Sequence, residues 1–192
     1  TATEIQDAMD AAGVDTGNPR DIVGLSWDIV SNHAMNGLPD YTIYMGHTDS
    51  TALDWMSYEA TDEVKSAFTF DPAGTGWQYI EFDSNFEWDG VSNIIIDVCW
   101  SSSYSSVGAA TYMYDDGSGE YRMLYDYSSF SSMCGRYLSS GSLSNPDLKA
   151  RVRFAFECDP ITVSVGANED ICNTSTLENL TGNNPESGHT GA

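Results

Sequence analysis

Basic residues are scarce in this chain of 192 residues. Lysine and arginine together number 7, against 29 aspartates and glutamates, so the formal net charge is −22. This excess of negative charge repels phosphate backbones and anionic lipids, so we expect no nucleic-acid partner. No run of the sequence approaches 18 consecutive apolar residues, which predicts no membrane insertion.

The signatures of common catalytic and metal sites are also missing. The sequence has no G-x-S-x-G, H-E-x-x-H, Walker or G-x-G-x-x-G motif. The three histidines are far apart, and the four cysteines form no C-x-x-C pair, which argues against zinc. Acidic residues are so frequent that a carboxylate pair at glycosidase spacing carries no information. The sequence therefore predicts that the chain is not an enzyme and holds no firm metal or cofactor.

The residues that are abundant favour an all-β extracellular domain. Hydrophobic residues make up 41% of the chain, aromatic residues 12% and charged residues only 19%. A chain of this length can bury roughly 70% of its unfolded surface, so it can form a substantial core. An even number of cysteines in such a composition predicts disulfides and an oxidising compartment, with three pairings open.

Periodicity predicts one short helix followed by strands. Residues 4–12 carry apolar side chains at helical spacing, and Gly13 can close the helix. Alternating polar and apolar residues then predict a series of strands. These strands cover residues 21–30, 41–47, 63–70, 77–82, 94–98 and 148–157, and a hairpin is predicted from 110–114 and 121–127.

The central stretch, residues 77–100, predicts a strand, a turn and a second strand. The turn signals are Asp83-Ser84-Asn85 and Asp89-Gly90, and the uninterrupted apolar run of residues 94–98 predicts a central strand. The last strand carries Lys149, Arg151 and Arg153 on its polar face. Pairing of these cations with carboxylates on a neighbouring strand is the favoured interpretation, and recognition of an acidic partner is the alternative.

A resemblance to a known family rests on this central stretch. Its residues are Gly76-Trp77, Ile80, Phe82, Phe86, Trp88, Asp89-Gly90, Ser92-Asn93 and Ile94 to Ile96. This pattern resembles a β-sandwich module of large secreted and cell-surface proteins of Bacteroidota, which are exported by type nine secretion. Ala12-Gly13-Val14 and residues 41–47 are similar to further segments of that module.

The resemblance implies an antiparallel, jelly-roll-like β-sandwich over residues 1–158, with a short N-terminal helix. Residues 161–185 resemble the opening of an immunoglobulin-like or PKD-like repeat. Because residues 159–192 are too few to close a second sandwich, we expect a linker and the first strands of an incomplete repeat. Neighbouring modules of the same polypeptide are then expected partners, and the expected location is extracellular or the cell surface.

The leading functional interpretation is a non-catalytic structural or adhesive module, whose partners are surface glycans or other surface proteins. The alternative is a carbohydrate-binding module of a secreted polysaccharide-degrading enzyme. The alternative rests on a crowd of tyrosines whose rings can stack on apolar sugar faces. These are Tyr104, Tyr112, Tyr114, Tyr121, Tyr125 and Tyr127. A plain sheet surface is the favoured interpretation of these tyrosines, because strands in general are rich in tyrosine.

The resemblance also implies a disulfide between Cys99 and Cys134, because the family has a cysteine after the equivalent strand and another in the later loop. Cys158 and Cys172 bracket the junction between the two segments, and a bond between them is the favoured second pairing. Pairing of Cys172 with a residue beyond position 192 is the alternative.

Two short polar patterns complete the candidate sites. Asp115, Asp116 and Glu120 concentrate carboxylates at the predicted hairpin tip, although their spacing departs from that of an EF-hand. A plain hairpin tip is the favoured interpretation, and a weak calcium site is the alternative. Ser50 and Thr51 follow Asp49 in the pattern of bacterial O-glycosylation sites.

Overall fold

A computed structural model describes part of the chain. The described residues are 1–13, 19–32, 37–53, 60–101, 109–115, 117, 119–121, 123–125, 142–143 and 148–157. The chain divides into two units, Thr1–Phe156 and Glu157–Ala192. All described residues except Glu157 belong to the first unit, so the predicted boundary after residue 158 stays a prediction.

The described residues form one helix and eleven strands. They are α1 (Ala2–Ala11), β1 (Arg20–Asn32), β2 (Leu38–Thr48), β3 (Asp62–Phe70), β4 (Gly76–Trp88), β5 (Asn93–Cys99), β6 (Ala109–Thr111), β7 (Met113–Asp115), β8 (Leu124–Tyr125), β9 (Ser142–Leu143), β10 (Leu148–Ala150) and β11 (Val152–Phe156).

The short N-terminal helix is defined by signals at both of its ends. Thr1 and Glu4 form a capping box, in which each side chain bonds the backbone of the other residue. Gly13 follows the C-cap with φ of +71°, a conformation that glycine adopts without steric cost. Met9 is buried in the core, which anchors α1 to the sandwich. The predicted helix and its closure at Gly13 are confirmed.

The longer strands form two antiparallel sheets. In sheet A, β1 lies between β11 and β4, and β6 pairs with the end of β1. In sheet B, β2 lies between β3 and β5. Two smaller ribbons pair β10 with β7 and β8 with β9.

One hydrophobic core joins the two sheets. Sheet A contributes residues such as Leu25, Phe86 and Trp88, and sheet B contributes Ile43 and Met45, all within one buried cluster. Because the inner faces of both sheets bury their apolar side chains against each other, the architecture is a β-sandwich. The predicted fold class, an all-β antiparallel sandwich with one short helix, is confirmed.

The predicted turn at residues 83–85 is wrong. β4 continues from Gly76 to Trp88, and its register against β1 jumps from the pair Gly24–Glu81 to the pair Ile22–Phe86. The residues between these pairs bulge from the ladder. Asp83 uses this bulge to accept hydrogen bonds from the backbone N–H and the hydroxyl of Ser66 on β3. The polar residues therefore mark a bulge that binds the other sheet.

Two further predictions of strand pairing are also wrong. Among the described residues, β5 pairs with β2 at the side of sheet B, so β2 and not β5 has the central position. The described residues of the predicted hairpin do not pair with each other, because β6 pairs with β1, β7 pairs with β10 and β8 pairs with β9. Local turn residues indicated where strands end, but long-range pairing decided their neighbours.

Candidate functional site

The solvent-facing side of sheet A carries an ordered set of polar and aromatic side chains, which we call the outer face. Its members are Ser26, Asp28, Trp77, Tyr79, Arg151 and Arg153. They share one side because alternate residues of a strand point the same way, while Leu25 and Ile80 between them are buried in the core.

The register places these residues in two rows across the strands. Ser26 on β1 lies opposite Tyr79 on β4 and Arg153 on β11. Asp28 lies opposite Trp77, and Arg151 reaches it from the residue before β11. With the usual spacings of a sheet, the two rows cover about 10 Å across the strands and about 7 Å along them.

Asp28 anchors the second row. Its side chain is only 7% exposed, and its Oδ2 lies 2.7 Å from a guanidinium nitrogen of Arg151, whose side chain is 47% exposed. A buried carboxylate needs such a partner, because an unpaired charge away from water is strongly destabilising. The ion pair therefore holds Arg151 in place while about half of its side chain still faces solvent.

The backbone around Asp28 joins three segments of chain. The carbonyl oxygen of Asp28 accepts hydrogen bonds from the Tyr112 N–H at 2.8 Å and from the Thr111 hydroxyl at 3.0 Å. The Tyr112 carbonyl in turn accepts from the Arg151 N–H at 2.9 Å. These bonds connect β1 with the β6–β7 and β10–β11 segments, so the ion pair is built into a rigid junction.

Both arginines lie close to the indole ring of Trp77. The guanidinium carbon of Arg153 is 3.8 Å from a ring centroid of Trp77, and that of Arg151 is 5.4 Å away. The Arg151 carbon also lies 5.7 Å from the Tyr112 ring centroid. Guanidinium groups stack favourably on aromatic faces. Two cations and two aromatic rings therefore lie close together on this side of sheet A.

The basic stripe of the last strands is thus divided among different partners. Lys149 forms an ion pair with Glu4 of α1 and lies 5.3 Å from the Tyr114 ring centroid. Arg151 pairs with Asp28 on the neighbouring strand, as expected. Arg153 differs from that expectation, because within the described ranges it stacks on Trp77 and no carboxylate pairs with it.

Tyr79 extends the aromatic surface of the first row. Its side chain packs over Gly24, where an added Cβ would lie 2.5 Å from the Tyr79 hydroxyl oxygen. Glycine at this position therefore makes room for the Tyr79 side chain. The residue Tyr79 is 54% exposed. Partial burial and the charge of Glu81 raise the pKa of Tyr79, so its hydroxyl remains protonated at neutral pH.

The structure brings two of the six predicted tyrosines to the neighbourhood of this site. Tyr112 and Tyr114 are exposed and contact Arg151 and Lys149 respectively. Tyr121 is half-buried, and its carbonyl accepts a hydrogen bond from the Leu53 N–H. The remaining predictions fall on Tyr104, Tyr127 and the side chain of Tyr125, which lie outside the described residues.

Trp77, Tyr79 and Asp28 were not predicted as site residues. The sequence did contain a signal for two of them, since Trp77, Tyr79 and Glu81 alternate with inward residues on β4. What the sequence could not indicate was that Arg151 and Arg153 would be placed beside them, because that depends on β1 separating β4 from β11.

The predicted calcium residues show a simpler arrangement where they are described. Asp115 is exposed and its Oδ1 accepts a hydrogen bond from the Gly117 N–H at 2.9 Å, which closes a local turn. Glu120 is exposed, and Asp116 lies outside the described residues. Within the described part of the chain, no group of three metal-ligating side chains comes together. The calcium site stays a prediction.

Cys99 ends β5 with 6% of its surface exposed and is disulfide-bonded. Cys134, Cys158 and Cys172 lie outside the described residues, so both predicted pairings stay predictions. Ser50 and Thr51 are exposed in the segment after β2. The Ser50 hydroxyl donates to the Ala52 carbonyl, and exposure leaves both hydroxyls within reach of a modifying enzyme.

Several carboxylates near cations or hydroxyls remain ionised to low pH. Hydrogen bonds from Lys65 and Ser66 lower the pKa of Asp83 to about 2. Partial burial raises the pKa of Glu4, but hydrogen bonds from Lys149 and the amino group of Thr1 outweigh this and lower it to about 2. Such carboxylates act as structural anions, because a general acid at neutral pH needs a raised pKa.

Comparison with known proteins adds no relative. No family model matches the chain, and neither the curated proteins nor the solved structures contain a significant match. In the part of the chain that is described, α1 is too short and too polar to cross a membrane.

Proposed function

We propose that this chain is a non-catalytic structural or adhesive module of a larger secreted or cell-surface bacterial protein. The observation that carries the proposal is the outer face, in which exposed aromatic and cationic groups stand on a rigid three-stranded platform. Its stacked rings and anchored cations are suited to holding a partner by contact. The carboxylates of Glu4, Asp28 and Asp83, each paired with a cation, hold the platform and its surroundings together.

The setting of such a module follows from the sequence. The resemblance over residues 4–157 supports type nine export and a location outside the cell, with neighbouring modules of the same polypeptide as partners. The net charge of −22 supports a solvated extracellular surface. A disulfide at Cys99 is compatible with an oxidising environment.

Adhesion can be tested with the purified chain coupled to beads in a flow chamber. Beads should remain attached to surfaces coated with bacterial surface glycans or surface proteins at flow rates that remove uncoated beads. Trp77→Ala should release them, because it removes the ring on which Arg153 stacks. Tyr44→Ala, which removes a ring from sheet B, is the matched control. Attachment that survives Trp77→Ala unchanged would show that the outer face is not the adhesive surface.

A second candidate function is a carbohydrate-binding module of a polysaccharide-degrading enzyme. Four aromatic side chains on or beside the outer face favour it: Trp77, Tyr79, Tyr112 and Tyr114. Affinity electrophoresis in gels containing soluble polysaccharides, with and without calcium, tests this candidate. Retardation by at least one polysaccharide supports it, and unchanged mobility in every gel rejects it. Sugar release in proportion to the amount of chain would contradict the non-catalytic proposal.

A further inference from the structure

We propose that the outer face selects glycans bearing carboxylate groups, with Arg153 and Arg151 as the groups that contact the anion. The inference rests on the proposed binding function of this face and specifies its ligand class. It assigns to the two arginines a role in recognition, which is separate from the stacking role of the rings. The ligand would be a polysaccharide that contains uronic acid units.

The first step concerns Arg153. Its side chain is exposed, and within the described ranges its partner is the Trp77 ring rather than a carboxylate. Stacking on the ring orients the guanidinium plane but uses none of its N–H donors. Arg153 therefore presents a fixed set of donors to solvent, and a carboxylate can accept two parallel hydrogen bonds from such a group.

The second step concerns Arg151. The ion pair joins one of its terminal guanidinium nitrogens, Nη1, to Asp28 at 2.7 Å, and 47% of the Arg151 side chain is exposed. Because guanidinium has five N–H donors, the pair with Asp28 leaves others available. Asp28 neutralises Arg151, so the surplus positive charge of the two rows comes from Arg153. A single anionic group would balance that charge.

The surroundings of the two rows limit where an anion can bind. Glu81 lies beyond Tyr79 on β4, and Glu4 holds Lys149 at the other side. The negative charge of Glu81 repels an anionic ligand, whereas Glu4 is neutralised by Lys149, so an anion is favoured at the arginines. On a chain with net charge −22, this local positive site would give a marked preference for an anion placed at the arginines.

The aromatic rings decide between an acidic glycan and an acidic peptide. Trp77 lies beside both arginines, Tyr112 lies beside Arg151, and Tyr79 shares a row with Arg153. The flat rings suit the apolar faces of sugar rings. A carboxylate attached directly to a sugar ring can reach an arginine while the ring stacks on a neighbouring aromatic side chain. The combination of rings and cations therefore favours uronic acid units.

The test measures the affinity of the full chain for polygalacturonate and for the same polymer after chemical reduction of its carboxyl groups. We expect binding to polygalacturonate that weakens about tenfold on carboxyl reduction, and about tenfold in Arg153→Gln, as for loss of one charge-assisted hydrogen bond at an exposed site. Lys65→Gln removes the same charge from sheet B and should bind like the unchanged chain. Raising the salt concentration should weaken binding of the unchanged chain more than that of Arg153→Gln.

The outcomes separate this inference from the proposed function. Equal affinity for the reduced polymer, or for a neutral glucan, refutes carboxylate selection and leaves carbohydrate binding standing. Tighter binding to a sulfated galactan than to polygalacturonate refutes the choice of carboxylate over sulfate. Equal binding of polyglutamate shows that an acidic peptide suffices and overturns the glycan assignment. Failure to bind any of the polymers rejects carbohydrate binding and the inference together.

Discussion

Replacing Arg151 with methionine should destabilise the sandwich, because it removes the cation that neutralises the buried carboxylate of Asp28. Breaking a fully buried ion pair costs about 3–5 kcal/mol, whereas an exposed pair contributes about 0–1 kcal/mol. Asp28 is 7% exposed and Arg151 is 47% exposed, so this pair lies between the two limits. We therefore expect Arg151→Met to lower the free energy of unfolding by about 2 kcal/mol.

Asp28→Asn should lower the free energy of unfolding by less, about 1 kcal/mol, because water can solvate the half-exposed Arg151 that loses its partner. In the double variant, neither charge remains buried without a partner. The two effects should therefore not add, and a double-mutant cycle should return a coupling energy of about 1 kcal/mol.

Urea denaturation measures these differences directly. With a slope of about 2 kcal/mol per molar urea, a loss of 2 kcal/mol lowers the midpoint by about 1 M. Lys65→Met breaks the ion pair with the exposed Asp83 and should shift the midpoint by less. A shift for Arg151→Met no larger than that of Lys65→Met, together with additive effects in the cycle, would refute the anchoring role of Asp28.

Three other changes have defined outcomes. Folding lowers the pKa of Glu4 from 4.5 to about 2, so the unfolded chain protonates this carboxylate at a higher pH than the folded chain does. The free energy of unfolding should therefore fall as the pH drops from about 4.5 towards 2. Urea midpoints should show this fall, and it should be less steep in Glu4→Gln. Gly24→Ala places a methyl group 2.5 Å from the Tyr79 hydroxyl oxygen and 2.6 Å from a backbone carbonyl oxygen of β4. Thermal unfolding should show a loss of about 1–3 kcal/mol in the free energy of unfolding, and adding Tyr79→Ala should restore only part of it. If Cys99 and Cys134 close a loop of about 35 residues, Cys134→Ser should lower the free energy of unfolding by about 4 kcal/mol. A peptide map under non-reducing conditions that pairs Cys99 with another cysteine would contradict that assignment.

The elements of the sandwich were predictable where local patterns determine them. Residues 21–30 and 63–70 alternate polar and apolar side chains, and the structure has β1 and β3 there. Gly13 marks the end of α1 because its positive φ is a local requirement. Such features depend on neighbours within a few residues, so the sequence alone is sufficient to locate them.

Strand neighbours depend on distant parts of the chain, and there prediction failed. The segment at Asp83 contains residues typical of turns, yet the structure uses them in a bulge that bonds Ser66 on β3. Residues 110–114 were expected to pair with residues 121–127 in a hairpin, but β6 pairs with β1 and β7 pairs with β10. The free energy of either pairing depends on burial across the whole sandwich, which no local window contains.

The candidate site combines both situations. Exposed tyrosines were predicted from their number and spacing, and Tyr112 and Tyr114 are exposed. The cations beside them were predicted to be structural, and Arg151 is so in its contact with Asp28. The contact between Arg153 and Trp77 could not be predicted from either strand alone. Arg153 lies on β11 and Trp77 lies on β4, and these strands are neighbours of β1 on its two sides.

The two arginines of the outer face should therefore respond differently to substitution. Arg151 holds a buried carboxylate, so its loss should change stability and binding together. Arg153 is exposed and stacks on one ring, an interaction that contributes about 0.5–1 kcal/mol at such sites, so Arg153→Gln should leave the urea midpoint nearly unchanged. If Arg153 recognises the ligand, binding is lost in a protein that remains folded. A large fall in the free energy of unfolding in Arg153→Gln would instead show that Arg153 has a structural role. Arg151 would then be the cation that recognises the ligand.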